Sequence, residues 1–372
     1  MSLAERHQGP ERGLRLVVVV GMHRSGTSVI ARGLRVLGVD LGDRLLPPAS
    51  DNDKGFWEDI DVVALNEEVL RSFGLEWHTL RPVPGEELPL LPAEYLARGA
   101  ALLGNKLETA ACFGFKDPRT ARLLPFWREV FGRLPVELGY VIACRNPVSV
   151  ANSLSKRDGM EVGKAYSLWL DHMLSCLTQT AGQRRVVVDY DRFLADPEGQ
   201  LRRLATALKL DFDPEGESFA EFRSGFLEEA LRHERHAVEN LKREEKVPPG
   251  LADLYHLLLE MATDAVPADD APKTEAVVAV IRQSSGFLGA NHYLELCSGE
   301  PQALAEMLVE RDMSITVLKQ LLEGKDRGLV AFCNRRMWRM TALFHQGRWL
   351  WGEKGHSIFF RMKKWLGDSK WI

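Results

Sequence analysis

The sequence has little cysteine and no long apolar segment. Its five cysteines are spread over 372 residues without the paired spacing of a metal site. No segment approaches the roughly 18 consecutive apolar residues of a membrane-spanning helix, and the first residues lack the apolar core of a signal peptide. We therefore expect reduced thiols, no metal site and a cytoplasmic location.

Charge is divided unevenly along the chain. The whole chain has a formal charge of −4, but residues 333–372 contain nine lysines and arginines and only two acidic residues. This segment therefore has a charge of +7, which leaves −11 for the rest of the chain. An acidic body argues against general nucleic-acid binding, so no nucleic-acid partner is expected.

The most informative segment runs from residue 17 to residue 30. The four β-branched residues Val17–Val20 predict a buried strand, Gly21 ends it, and an apolar helical pattern begins at Thr27. A strand, a glycine-containing turn and a helix start form a cradle for an anion, because loop N–H groups and the helix dipole point into it.

This cradle lacks the lysine of ATP-hydrolysing proteins. Gly21 and Gly26 are five residues apart, as in a nucleotide-binding P-loop, but Thr27 stands where the lysine is expected. The cation stands earlier, at Arg24, whose planar guanidinium suits bidentate contact with a phosphate or sulfate group. The sequence thus disfavours hydrolysis of ATP or GTP.

Further short apolar segments alternate with helical patterns. Leu138–Ala143 and Arg185–Val188 predict two more buried strands, each followed by a helix. The alternation predicts an α/β fold of the P-loop NTPase-like kind, with three layers around a central parallel sheet. Beyond about residue 215 the pattern is wholly helical, which predicts a helical C-terminal extension.

A second motif follows the predicted strand Leu138–Ala143. Arg145 lies at the carboxyl end of this strand, and Pro147 can begin a helix that carries Ser153. Because the carboxyl ends of parallel strands share one edge of a sheet, we expect Arg145 near the loop Gly21–Ser28. An arginine and a serine eight residues apart can bind a second phosphate group.

The segments GMHRSGTS, CRNPVSVANSLSKR and DYDRFLADP together resemble those of sulfotransferases that use 3′-phosphoadenosine 5′-phosphosulfate (PAPS). The resemblance covers about residues 15–210. It implies transfer of a sulfuryl group to a hydroxyl or amine without a metal, with adenosine 3′,5′-bisphosphate as the product. It further implies that the first loop holds the 5′-phosphosulfate, that Arg145 and Ser153 bind the 3′-phosphate and that Tyr190 lines the cofactor site. The cofactor-binding residues expected on this basis are Gly21, His23, Arg24, Ser25, Gly26, Thr27, Ser28, Arg145, Ser153 and Tyr190.

The sequence departs from the cytosolic members of that family. They carry a lysine where this chain has Arg24, whereas Golgi carbohydrate and tyrosine sulfotransferases often carry arginine. The chain therefore resembles those enzymes and bacterial sulfotransferase-like proteins more closely. The late Arg-Lys-Gly segment of the cytosolic members has no match here, and their catalytic histidine has no counterpart, since the corresponding segment is Phe115–Arg119, FKDPR.

A carboxylate is therefore the expected general base, as in the carbohydrate and tyrosine sulfotransferases that use glutamate. We expect this base to be Glu58, in the segment GFWED, with Asp117 as the alternative. The flanking Phe56 and Trp57 can desolvate Glu58 and raise its pKa. In the competing interpretation, Glu58 or Asp59 only caps the helix that follows.

The remaining candidates concern charge and the acceptor. Arg24 and Lys116 are expected to stabilise the negative charge that develops on the departing nucleotide. Trp57, Arg119 and His78 are the expected acceptor-site residues, with Trp57 suited to stack on a sugar ring. The expected acceptor is a glycan or a small molecule.

The C-terminal segment requires its own explanation. Residues 333–372 hold five of the nine tryptophans, and residues 357–367, SIFFRMKKWLG, predict a basic amphipathic helix. Such a helix either contacts an anionic membrane surface or packs on the acidic body. Heptad-like leucines in residues 303–322 favour a helical hairpin or self-association.

The predicted divisions and function follow from these segments. We expect a flexible N-terminus over residues 1–14, a PAPS-binding domain over 15–215, helices completing it over 216–300, and a basic helical extension over 301–372. The expected activity is PAPS-dependent sulfation of a carbohydrate in a bacterial cytoplasm, either free or at the inner membrane. The alternatives are a P-loop kinase that uses ATP and Mg²⁺, and a non-catalytic nucleotide-binding scaffold.

Overall fold

A computed structural model describes residues 13–48, 55–81, 83, 91–227, 241 and 247–283. At the centre lies a four-stranded, all-parallel sheet with the strand order β2-β1-β3-β4. The strands are β1 (Arg15–Gly21), β2 (Cys112–Lys116), β3 (Glu137–Cys144) and β4 (Arg185–Asp189).

Helices connect the strands and cover both faces of the sheet. The helices are α1 (Thr27–Val36), α2 (Ile60–Ser72), α3 (Ala93–Thr109), α4 (Arg119–Arg122), α5 (Leu124–Phe131), α6 (Pro147–Asp158), α7 (Val162–Gln179), α8 (Tyr190–Ala195), α9 (Pro197–Leu208), α10 (Glu217–Glu221), α11 (Leu251–Ala262) and α12 (Ala271–Gln283). A π-helical turn, Phe222–Phe226, follows α10.

Alternate residues of β1 face two separate hydrophobic cores. Leu16, Val18 and Val20 pack with buried residues of α2, α3, α5, α7 and α11 on one face. Val17 and Val19 pack with α1, α8 and α9 on the other face. Because both faces are buried, the strand is an unbroken run of apolar residues, as is usual for parallel sheets. The predicted three-layer α/β arrangement is confirmed.

Strand register brings the loops that follow the strands to one edge of the sheet. Val19 of β1 pairs with Lys116 at the end of β2, and Gly21 pairs with Ala143 near the end of β3. Cys144 in turn pairs with Asp189 at the end of β4. The segments carrying Arg24, Lys116, Arg145 and Tyr190 therefore begin side by side at the carboxyl edge, where parallel sheets bind their ligands.

The described part of residues 216–300 is helical, and no helix in the described ranges is both long and apolar enough to cross a bilayer. The expected flexible N-terminus lies outside the described residues, apart from Gly13 and Leu14. The basic extension over 301–372, with its proposed membrane or self-association role, lies wholly outside them. The domain boundaries therefore stay predictions.

Candidate active site

The loop between β1 and α1 has the backbone of an anion cradle. Gly26 precedes α1 with a φ of 79°, and no side chain caps the helix N-terminus among the described residues. Arg24 also has a positive φ, of 65°, which turns the loop sharply. The first N–H groups of α1 are thus left for a ligand, and the helix dipole favours a negatively charged one.

The structure brings the second motif to this loop. Arg24 Nε donates a 2.9 Å hydrogen bond to Ser153 Oγ on α6. Arg145 Nη1 donates a 3.1 Å hydrogen bond to the carbonyl oxygen of Arg24. The Arg145 guanidinium also lies over the Tyr190 ring, 4.5 Å from its centroid, and Trp169 Nε1 donates to the Arg145 carbonyl oxygen. Two predicted anion-binding motifs that are far apart in sequence therefore form one cluster.

Two polar atoms in this cluster are buried without a hydrogen-bond partner among the described residues. They are Ser25 Oγ and Arg145 Nε. A buried polar group without a partner costs about 1–3 kcal/mol, so native proteins seldom leave one unused. Both atoms can donate a hydrogen bond, so an anion such as a phosphate or phosphosulfate would give each of them a partner, and the residues present fit that group.

Two neighbouring carboxylates just before α2 have different roles. Asp59 caps α2, with its Oδ1 accepting from the backbone N–H groups of Asp61 and Val62. Glu58 caps nothing in this helix. Its Oε1 instead lies 2.5 Å from Lys116 Nζ at the end of β2. The capping interpretation therefore applies to Asp59 and leaves Glu58 at the sheet edge.

A backbone carbonyl links this carboxylate to the anion cradle. The Phe56 carbonyl oxygen accepts a 2.9 Å hydrogen bond from Lys116 Nζ and a 3.1 Å hydrogen bond from Ser28 Oγ at the start of α1. Lys116 thus holds the side chain of Glu58 and the backbone just before it. The geometry fixes Glu58 beside the cradle.

Glu58 and Lys116 are both almost completely buried, with 5% and 2% exposure. Burial raises the pKa of Glu58, because the charged carboxylate is deprived of water. Lys116 and, at 3.7 Å, Arg119 lower the pKa of the same carboxyl but do not outweigh burial. A carboxylate with a raised pKa next to a cation is a common arrangement for a general base.

Asp117, the alternative base, is occupied by structural contacts. Its Oδ2 accepts a 2.8 Å hydrogen bond from Asn66 Nδ2, and its Oδ1 lies 3.0 Å from both the backbone nitrogen and Nη1 of Arg119. Asn66 is held in turn by Trp127 Nε1, at 2.7 Å. Asp117 is completely buried. These contacts make it a residue that positions Arg119, which also pairs with Glu67 at 3.0 Å.

His23 faces a small aromatic cluster rather than hydrogen-bonding in the loop. Its ring centroid lies 4.3 Å from that of Trp77 and 6.3 Å from that of His172 on α7. Burial, helped by the cations Arg119 and Arg157, lowers the pKa of His23 well below its usual value. A neutral imidazole therefore stands directly beside Arg24.

Two predicted acceptor-site residues, Trp57 and His78, make contacts of their own outside the Glu58–Lys116 pair. The Trp57 ring packs on the α1 side, with the guanidinium groups of Arg32 and Arg35 at 5.5 and 5.7 Å from its centroid. His78 has an exposed fraction of 39% for its side chain, and its Nδ1 lies 3.3 Å from Glu76 Oε2. Their roles in acceptor binding stay predictions.

The sequence interpretation missed several residues that the fold brings to this edge. They are Asn66, Trp77 and His172. Arg157 lies over the Trp77 ring, at 5.5 Å from its centroid. A lone tryptophan or histidine in a helical or loop segment carries no local signal, so only the packing of α7 and the segment after α2 could find them. Among the described residues, no group of three or more His, Cys, Asp or Glu is arranged to hold a metal.

Comparisons with known proteins give a weak similarity. No family model matches the sequence, and no curated protein matches it. Among solved structures, the chain is similar to the sulfotransferase domain of the Synechococcus PCC 7002 olefin synthase, with 16% identity and a TM-score of 0.38 over 73% of this chain and 96% of that one. It is also similar to the sulfotransferase domain from the curacin biosynthetic pathway, with 17% identity and a TM-score of 0.34 over 72% of this chain and 98% of that one. The function is therefore inferred from the side chains of the site.

Proposed function

We propose that this protein is a sulfotransferase that moves the sulfuryl group of PAPS to an acceptor hydroxyl. The observation that supports this most strongly is the hydrogen bond of 2.9 Å between Arg24 Nε and Ser153 Oγ. It joins the anion cradle to the Arg145–Ser153 motif, so the site offers two anion-binding centres. PAPS has the matching chemistry, with a phosphosulfate at one end and a 3′-phosphate on its ribose.

The residues that would hold PAPS fall into two groups. The backbone at the start of α1, with the hydroxyls of Ser25, Thr27 and Ser28, would bind the phosphosulfate. Arg145 and Ser153 would bind the 3′-phosphate, and Tyr190 would pack beside the nucleoside. When bound, PAPS supplies an activated sulfuryl group and a phosphate leaving group.

Glu58 is proposed as the general base. Its carboxylate would take the proton of the acceptor hydroxyl as the oxygen–sulfur bond forms and the bond to the leaving phosphate breaks. Lys116 and Arg24 would stabilise the negative charge that develops on the leaving side. Lys116 contacts Glu58 directly, so the same cation favours the charged form of the base and lies beside the cradle.

The acceptor is proposed to be a hydroxyl of a carbohydrate or glycan precursor. Arg119 and Trp77 border the Glu58 side of the cradle and provide polar and aromatic surface of the kind that sugars contact. Metal independence and a cytoplasmic location belong to the same proposal and stay predictions.

The alternative of a P-loop kinase is disfavoured by the loop itself, because Thr27 occupies the position of the nucleotide-binding lysine. A non-catalytic scaffold, in turn, does not require a buried glutamate with a raised pKa beside an anion cradle.

Calorimetric titration separates these functions. We expect adenosine 3′,5′-bisphosphate to bind in the micromolar range without metal, and we expect Arg145→Ala to abolish that binding. Binding of ATP only, with dependence on Mg²⁺, would replace the proposal with a kinase. Binding of neither nucleotide would leave the scaffold as the better explanation.

A further inference from the structure

Two imidazole nitrogens lie buried and unpartnered beside the proposed site. His172, on α7, is completely buried, and its Nδ1 lies 2.7 Å from the carbonyl oxygen of Leu168. A carbonyl oxygen only accepts, so Nδ1 must carry the proton and Nε2 must present a lone pair. Nε2 has no hydrogen-bond partner among the described residues.

His23 presents the second such atom. Its Nε2 is also buried without a hydrogen-bond partner in the described ranges of the chain. The two rings meet edge to face, with centroids 6.3 Å apart. No hydrogen bond joins them, although their Nε2 atoms would complement each other if His23 carried its proton on Nε2.

Leaving both nitrogens without a hydrogen-bond partner would lower the stability of the fold. Each buried polar atom without a partner costs about 1–3 kcal/mol, and native structures contain few of them. One group that contacts both nitrogens would remove both costs. With His23 protonated on Nε2, that group would donate to His172 Nε2 and accept from His23 Nε2–H, and a hydroxyl does both.

We propose that His23 and His172 form a hydroxyl-binding subsite of the acceptor pocket, and that the acceptor is a polyol whose second hydroxyl bridges their Nε2 atoms. The proposal rests on the proposed sulfotransferase function. It adds a requirement on the substrate, namely one hydroxyl at Glu58 to receive the sulfuryl group and another at the two histidines to orient the molecule.

The surroundings favour a neutral polar group over an ion. Burial lowers the pKa of His172 to about 4, so its Nε2 accepts a hydrogen bond at neutral pH but cannot donate one to an anion. A cationic ligand is disfavoured by Arg119 and Arg157, which face His23 closely enough to lower its pKa. A hydroxyl carries no charge and avoids both penalties.

The position of the subsite ties it to the acceptor rather than to the nucleotide. His23 directly precedes Arg24 in the cradle, while His172 belongs to α7, which packs on the β1 face opposite α1. Lys116 lies close enough to His23 to contribute to its lowered pKa. The subsite therefore lies near Lys116, which contacts Glu58 directly.

Nitrogen NMR tests the subsite through binding. In full-length protein labelled with ¹⁵N-histidine and saturated with adenosine 3′,5′-bisphosphate, cis-1,2-cyclohexanediol should shift the His172 Nε2 resonance upfield, as a lone pair that gains a hydrogen bond does. Cyclohexanol, which has one hydroxyl, should shift it less. Unchanged His172 resonances with the diol would overturn the proposal and leave a bridging water as the occupant.

Kinetics provide the second measurement. With PAPS as donor, we expect kcat/KM for the diol to exceed that for cyclohexanol by about tenfold, the equivalent of one hydrogen bond of about 1.4 kcal/mol. His172→Phe should remove this preference, His172→Gln should keep part of it, and His256→Phe, on the exposed side of α11, should leave it unchanged. A preference that survives in His172→Phe would overturn the subsite.

The two proposals fail in different ways. If adenosine 3′,5′-bisphosphate does not bind the wild type, the sulfotransferase function itself is wrong. If it binds with equal affinity to wild type and His172→Phe, the variant is folded and the cofactor site is intact. A loss of diol preference in that variant then reports on the histidine subsite alone.

Discussion

Arg24 Nε and Ser153 Oγ lie 2.9 Å apart, although 129 residues separate them in the chain. The contact connects the β1–α1 loop to α6. Arg145 adds a second connection through the Arg24 carbonyl oxygen. A binding site whose donors are already held in place loses less conformational entropy when a ligand enters.

Ser153 should discriminate between nucleotides with and without a 3′-phosphate. We expect Ser153→Ala to weaken binding of adenosine 3′,5′-bisphosphate by about 10- to 100-fold, because a hydrogen bond to a charged group contributes about 1.5–3 kcal/mol. Adenosine 5′-monophosphate has no 3′-phosphate for Ser153 to contact, so its binding should change less than twofold. Calorimetry with both ligands measures this, and an equal loss for both would show that Ser153 only supports Arg24.

Gly26 should be irreplaceable because of Tyr190. A Cβ at Gly26 would lie 2.1 Å from Tyr190 Cδ2, and the residue has a φ of 79°. Gly26→Ala should therefore displace the ring that packs on Arg145 and weaken binding of adenosine 3′,5′-bisphosphate by tenfold or more, about 1.4 kcal/mol.

Gly38 offers a matched control for this prediction. Its φ is 78°, but a Cβ there would meet no atom within 4 Å. Gly38→Ala should cost about 1–2 kcal/mol of stability from the left-handed backbone alone and leave nucleotide binding unchanged. Equal losses of binding in both variants would mean that backbone strain, and not contact with Tyr190, explains the effect.

Glu58 should control the acid side of the pH profile. Burial raises its pKa, so kcat/KM should fall as pH drops through a value above that of an ordinary glutamate, because only the deprotonated base can accept a proton. Glu58→Gln should lower kcat by about 100- to 10,000-fold and remove this limb of the profile. Steady-state rates from acid to neutral pH measure both effects.

Asp117→Asn separates the two candidate bases. This variant removes the charge that holds Arg119 and should lower the melting temperature and raise KM. The acid limb should nevertheless persist, because Glu58 is still present. Loss of the limb in Asp117→Asn together with its survival in Glu58→Gln would assign the base to Asp117.

The anion cradle could be predicted from sequence because its signals are local. Val17–Val20 is a continuous apolar run, which is how a strand buried on both faces is encoded. The spacing of Gly21 and Gly26 then specifies the turn, and Pro147 marks the start of α6. Each of these features depends on residues within about one turn or one strand, so no tertiary information is needed.

The rest of the site depends on packing that the sequence does not display. Strand β2 has only five residues with Gly114 at its centre, and it was not predicted. The glycine is needed there because a Cβ would lie 2.6 Å from Val39 Cγ1. His172 and Trp77 are single residues in unremarkable segments. Their contacts with His23 follow from the packing of α7 on β1. A local sequence pattern does not show this packing.

Asp189 should make the fold less stable as pH rises. It is 3% exposed, its Oδ2 has no partner among the described residues, and burial raises its pKa to about 6. The unfolded chain has a pKa of about 3.9 there, so the folded state binds the proton more tightly and loses stability as pH rises through 6.

Asp189→Asn keeps the cap on Arg192 N without the buried charge. We expect it to raise the free energy of unfolding by about 1–3 kcal/mol at pH 7.5 and by nothing below about pH 4. Urea titrations at both pH values measure this, and a gain that is equal at the two would show that the charge of Asp189 is not its source.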